Sequence, residues 1–162
     1  MKFRSEQFQR WQPCPPDILT PLLQYLHHRF GLPLDLLQQY QWLQQNLKTL
    51  ALTHPAHQPP QKPEPMAIGI PALKLGGKIP KITSAAARFF GTAATKHVVE
   101  LPDRSALQSY LAVARFPLSM DNCIQCTEAG VVIVRYRGIP IGTGFLKLDS
   151  PDTPILQSQF SK

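Results

Sequence analysis

The fifteen residues 130–144, Gly-Val-Val-Ile-Val-Arg-Tyr-Arg-Gly-Ile-Pro-Ile-Gly-Thr-Gly, constrain the fold of this chain more than any other stretch. They read as a β-hairpin. Residues 131–134 are all β-branched and suit a strand. Arg137-Gly138 supplies the turn. The second strand then runs into Gly142-Thr143-Gly144, where only a small residue lets backbones approach closely. Strand alternation puts Arg135 and Arg137 on one face with Ile133, and Val132, Val134 and Tyr136 on the opposite, buried face. The aliphatic stems of the arginines would cover Ile133 while their guanidinium groups reach outward. Gly142-Thr143-Gly144 is not a dinucleotide fingerprint, because no helix follows it.

The rest of the chain is mixed. Ile18, Leu19, Leu22, Leu23, Leu26 and Phe30 recur at helical steps, with Thr20-Pro21 suited to a start and Gly31 to a stop. A second short helix follows Pro33 and runs through Leu37. Residues 40–43 and 47–52 flank a turn at Asn46, which fits a hairpin, although the periodicity also accommodates a helix. Residues 53–65 hold five of the 17 prolines and no large apolar residue, as a tether or long loop would. Beyond them, residues 66–75 read as strands with a bend, and Gly76-Gly77-Lys78 as a turn. Thr83 or Ser84 opens a helix through Phe90 that stops near Gly91. Residues 97–101 form a strand, and Asp103 or Ser105 opens a helix through Leu111. The strands are short and outnumber the helices. The expected fold is therefore α+β, a small β-barrel carrying short helices. Residues 1–52 are an N-terminal helical and hairpin segment packed on the barrel, 53–65 a linker, and 66–162 the β-rich core.

Charge points to the partner. Lys and Arg total 17 against 10 Asp and Glu, and residues 66–147 hold ten basic residues against four acidic ones. A surplus concentrated in one stretch favours polyanions, nucleic acid first. By position, Lys78, Lys81, Arg88 and Lys96 around the expected helix, and Arg135 and Arg137 at the hairpin, are the candidate contacts. Lysines would meet phosphates as point charges, and arginines could fork onto phosphate or stack on a splayed base. The competing reading is a protein-interaction module anchored by Trp11, Tyr40 and Trp42.

Other chemistry finds little footing. No apolar run approaches the roughly 20 residues of a membrane helix, and the basic residues 1–6 have no apolar stretch behind them, unlike a secretory signal. Three cysteines, an odd number, do not build a disulfide framework, so a reducing cytoplasm is expected. Cys123 and Cys126 form a lone C-x-x-C without a second ligand pair, so no metal is expected. Cys14 has no cofactor loop near it, His27 and His28 are adjacent and diverge, and His54 and His57 sit in the linker. No catalytic residue and no cofactor are expected.

Several of these pieces together resemble a known module. They are Arg29-Phe30-Gly31-Leu32-Pro33 after a helix, the Thr83 to Phe90-Gly91 helix, Lys96-His97-Val98-Val99-Glu100-Leu101, Ser109-Tyr110-Leu111, the hairpin of residues 130–144, and the tail at residues 157–162. The chain resembles the PUA-like RNA-binding domain that ends many rRNA and tRNA cytosine-C5 methyltransferases of the Sun and Fmu type. In the tail, Ser161 stands where that family usually has proline. The resemblance implies a PUA-like pseudobarrel that is free-standing and binds structured rRNA or tRNA without catalysis. It also implies an RNA methyltransferase or ribosomal component as neighbour. The family's methyltransferase domain, with its S-adenosylmethionine sheet and catalytic cysteines, has no counterpart here.

Overall fold

The computed structural model describes residues 8–150 and 152–160, so the basic residues 1–6 and the Ser161-Lys162 tail lie outside the described residues. The chain is α+β, with a curled half-barrel sheet and a few short helices. It divides into two compact units. The first holds the described residues up to His27 and Pro33–Thr83, and the second His28–Leu32 and Ser84–Lys162. Among the described residues no helix is long and apolar enough to cross a membrane.

This division differs from the one expected at the Pro-rich stretch. Residues 66–83 belong to the first unit because strand β3 (Ile70–Lys74) pairs antiparallel with β2 (Thr49–Thr53). The prolines therefore lie in a connection between two neighbouring strands of one sheet. Trp11 Nε1 donates to the Pro65 carbonyl at 3.0 Å, and Arg10 pairs with Glu64 at 3.3 Å. Composition reports that a segment is exposed and extended, but strand pairing decides which unit it serves.

In the first unit, helix α1 (Pro16–Phe30) begins ahead of the expected Thr20-Pro21 start; its last turn belongs to the second unit. The Pro15 carbonyl accepts the Ile18 and Leu19 N–H groups at 3.0 and 2.9 Å, leaving Pro16, which has no N–H, at the first helical position. Pro21 falls inside the helix, where it removes one ladder hydrogen bond. Helix α2 (Leu34–Gln38) follows Pro33 as expected. Strand β1 (Gln41–Asn46) and β2 form the hairpin, and Asn46 Oδ1 accepts the Lys48 N–H at 2.8 Å in its turn. With β4 (Lys81–Ile82) the sheet order is β1-β2-β3-β4. One row across it, Gln44-Leu50-Leu73-Ile82, is buried, and the next, Asn46-Thr49-Lys74-Lys81, is polar and ends the sheet. Trp11 and Trp42, the anchors of the competing protein-interaction reading, are buried. Trp11 packs with Leu43, Ala51 and Ile68, and Trp42 Nε1 donates to the Leu37 carbonyl at 3.0 Å. A large aromatic ring in a unit this small is needed for its own core.

The second unit is built on a six-stranded sheet of order β6-β10-β9-β8-β5-β7. Its strands are β5 (Val98–Leu101), β6 (Arg115–Pro117), β7 (Cys123–Ile124), β8 (Gly130–Tyr136), β9 (Ile139–Lys147) and β10 (Ile155–Ser158). All pairs are antiparallel except β5 with β8. The hairpin turns at Arg137 and Gly138 as expected, with φ of 52° and 76°, the paired positive values of a tight two-residue turn.

The expected alternation along β8 holds, but both faces are covered. Val132, Val134 and Tyr136 join Val99, Leu101, Leu146 and Leu156 in a core with Tyr110 of α4 (Arg104–Leu111), whose N-cap Asp103 accepts the Ala106 N–H at 2.8 Å. Ile133, on the arginine side, is completely buried. A Cβ at Gly91 would come within 3.0 Å of Ile133 Cγ2 and 2.6 Å of Pro140 Cβ. Gly91 opens a 3-10 turn (Gly91–Ala93) after helix α3 (Ser84–Phe90), which packs on β9. An unbroken β-branched run signals a strand buried on two sides.

Candidate nucleic-acid interface

The six expected contacts separate between the units. Lys78 and Lys81 lie in the first, and Arg88, Lys96, Arg135 and Arg137 in the second. Arg135 serves the fold. Its Nε donates to the Gly91 carbonyl at 2.9 Å, and its Nη2 to the carbonyls of Gly91, Thr92 at 3.3 Å and Ala94 at 2.5 Å. One guanidinium thus ties together three carbonyls of the turn that follows α3, one of which, Gly91's, also accepts the Ala94 N–H at 3.3 Å. Burial lowers its pKa from the ordinary value, against the opposing charge of Glu100, its register partner on β5. It is not an outward-facing contact, because the face it shares with Ile133 lies under the Gly91–Ala93 turn that follows α3.

The other three are exposed. Arg88, on α3, donates from Nε to the Ile141 carbonyl at 2.9 Å, and its guanidinium sits 5.9 Å from the Phe160 ring. Arg137 lies 5.3 Å over the ring of its neighbour Tyr136 at the hairpin tip. Lys96 follows a backbone junction in which Thr95 and Lys96 donate to the Phe30 carbonyl at 2.9 and 3.1 Å. It makes no ion pair among the described residues. Next to it, His97 is buried, its Nδ1 2.7 Å from the Arg29 carbonyl and its Nε2 without a hydrogen-bond partner among the described residues. Burial, more than the surrounding charges, pushes its pKa below the ordinary value.

The first unit gathers more cationic groups than the sequence reading picked out. Lys74 stands directly opposite Lys81 across β3 and β4, and beside Thr49 on β2. Lys48 occupies the β1–β2 turn at the same end of the sheet; its carbonyl accepts the Leu75 N–H at 2.6 Å, and its stem lies along Gly76. Lys78 sits in the β3–β4 connection with Gly76, Gly77 and Ile79. All four lysines are exposed, and none makes an ion pair among the described residues. Lys74 and Lys48 were missed because Gly76-Gly77 was read as a turn without its hairpin. A two-stranded reading centred between Gly77 and Lys78 places Lys74 opposite Lys81 from the spacing alone.

The cysteines form a separate feature. Cys123 lies on edge strand β7 and Cys126 is buried, its Sγ 3.6 Å from the Val98 carbonyl. A hydrogen bond between the two side chains lowers the pKa of the Cys123 thiol and raises that of Cys126. Burial, with Asp17 nearby, pushes Cys14 up to about 12. Among the described residues no group of three or more His, Cys, Asp or Glu side chains could hold a metal ion.

No protein-family model matches the chain, and no curated protein matches it.

Proposed function

We propose that this chain is a non-catalytic RNA-binding module that grips structured RNA, rRNA or tRNA, chiefly through its phosphates. Its second unit is, in this reading, a PUA-like pseudobarrel. One observation carries the proposal. Lys74, Lys78, Lys81 and Lys96 stand exposed without an ion pair among the described residues, while the Arg10–Glu64 and Arg29–Glu128 pairs use basic residues from outside residues 66–147. Positive charge that the fold leaves without acidic partners attracts a polyanion. Arg137 and Arg88 add exposed guanidinium groups, and Arg135 leaves the set of contacts.

The module needs no S-adenosylmethionine and no metal. An RNA methyltransferase or a ribosomal component is the protein neighbour that suits it. Three free thiols support a reducing, cytoplasmic setting. The protein-interaction reading loses support, because Trp11 and Trp42 are buried.

The test is RNA affinity as a function of salt, with a tRNA and an rRNA fragment. The logarithm of the association constant should fall with the logarithm of salt, by about 0.7 to 0.9 for each phosphate neutralised. Affinity that stays flat with salt, or no RNA binding, overturns the proposal. Calorimetry with S-adenosylmethionine should give no heat above dilution.

A further inference from the structure

We infer that the main phosphate-binding surface is the polar end of the first unit's sheet, where Lys48, Lys74, Lys78 and Lys81 take the phosphodiester backbone of an RNA strand. The inference rests on the RNA-binding reading for the identity of the strand, and on the geometry of the sheet for the site.

The Lys74–Lys81 pair carries the argument. Residues directly opposite on antiparallel strands share a face, with Cβ atoms about 4.5–5.5 Å apart, and like charges in that position destabilise the pair. Among the described residues no carboxylate pairs with either lysine. Between Asp35 and Glu100 the sequence has one acidic residue, Glu64, and it is paired with Arg10. Two more lysines are brought to the same end by the two turns. Gly76 makes room for one of them, since a Cβ there would lie 3.2 Å from Lys48 Cδ. Ile79 and Leu47, 60% and 40% exposed, stand among the ammonium groups and offer apolar surface to a ribose or base. Four ammonium groups on flexible stems, with no ion pair among the described residues, fit a chain of phosphates. Lysine suits this as a point charge that needs no fixed fork geometry. The repulsion built into the empty surface is relieved when the phosphates arrive.

The experiment compares the full chain with the Lys74→Gln, Lys81→Gln double variant, and with an Arg104→Gln, Arg115→Gln control that removes equal charge from the second unit. The probes are a single-stranded RNA, a duplex RNA and inorganic polyphosphate. The lysine variant should bind RNA about tenfold more weakly at about 0.1 M salt and lose about 1.4 to 1.8 from the salt slope. The control should change affinity less than threefold. Thermal melting supplies a second readout. At about 20 mM salt the lysine variant should melt at the same or a higher temperature than the parent, and the difference should vanish at about 0.5 M, where the repulsion is screened. RNA binding unchanged in the lysine variant, or weakened equally in the control, overturns the site and leaves the RNA reading standing. Polyphosphate binding lost in the variant, with no RNA bound by the parent, overturns the RNA reading and upholds a phosphate-chain site. No binding of any probe overturns both.

Discussion

Arg135 Nε lies 2.9 Å from the carbonyl oxygen of Gly91, so a side chain near the hairpin tip holds the turn that follows helix α3. Its charge is therefore committed to main-chain carbonyls. Arg135→Ala should destabilise the protein by about 2 kcal/mol, the range of a hydrogen bond to a charged group plus the carbonyls it leaves open. Arg137→Glu, at the exposed hairpin tip, should stay within about 0.5 kcal/mol of the parent. Urea denaturation of the two single variants checks both. Equal stability of the Arg135 variant and the parent would show that water replaces the guanidinium at no cost.

His97 makes stability depend on pH. Its ring is buried, and burial lowers its pKa from the ordinary value of 6.5. The folded state therefore favours the neutral ring, and below pH 6.5 the unfolded chain binds the extra proton. The His97 contribution is intact above 6.5, shrinks as pH falls below it, and levels off once the folded-state pKa is passed. Denaturation at several values between about pH 8 and pH 5 should show the parent losing more stability than His97→Asn, since asparagine tolerates the positive φ of 50° at this position. Parallel curves for the two proteins would remove His97 as the cause.

Tyr110 and Gly142 should be energetically coupled. The Tyr110 hydroxyl donates to the Thr143 carbonyl at 2.9 Å, and a Cβ at Gly142 would lie 2.5 Å from that hydroxyl. Tyr110→Phe should cost about 1 kcal/mol, because the same carbonyl also accepts the Gln159 N–H at 3.2 Å. Gly142→Ala should cost about 2 kcal/mol alone and visibly less in the Tyr110→Phe background, where the hydroxyl is gone. A double-mutant cycle that adds up without interaction would place the strain elsewhere.

The thiols should react in order. Cys123 is half-buried with its pKa lowered by the hydrogen bond with Cys126, whereas that same hydrogen bond, then burial, raises Cys126, and burial raises Cys14. Since the thiolate is the nucleophile, brief treatment of the folded protein with iodoacetamide should label Cys123 first. Peptide mass mapping reads the order, and early labelling of Cys14 would contradict it.

Local signals carried much of the fold. The turn at Arg137-Gly138, the helix opened by Asp103, the stop before Gly91 and the hairpin about Asn46 were all legible from turn and cap chemistry. Binary alternation also sorted the two faces of β8 correctly. It could not say that the arginine face was covered, because that cover is the Gly91–Ala93 turn, some forty residues earlier in the chain. The same blindness to distant pairing put residues 66–83 in the wrong unit, since a β2–β3 ladder leaves no mark in composition. Gly142 and Gly144 were expected to let backbones approach, but the nearest neighbour at each is a side chain. The space serves the Tyr110 hydroxyl at one and the Leu156 side chain and Gln157 carbonyl at the other. Of the four lysines at the polar end of the first unit's sheet, charge picked out Lys78 and Lys81, and Lys74 and Lys48 came into view only with their strand partners.

The strand order of the second unit sets a timetable for a chain emerging from a ribosome. Strand β10 lies between β6 and β9, so its residues 155–158 must be made before β6 has a neighbour. The parallel β5–β8 join likewise waits for some thirty residues after β5, a long closure that slows assembly. Phe30, whose carbonyl holds the Thr95 and Lys96 N–H groups, is made early and must wait for them. The four-stranded sheet of the first unit, by contrast, is complete in sequence by Ile82. Synthesis therefore allows its lysines to be in place while the hairpin that dominates the sequence is still unmade.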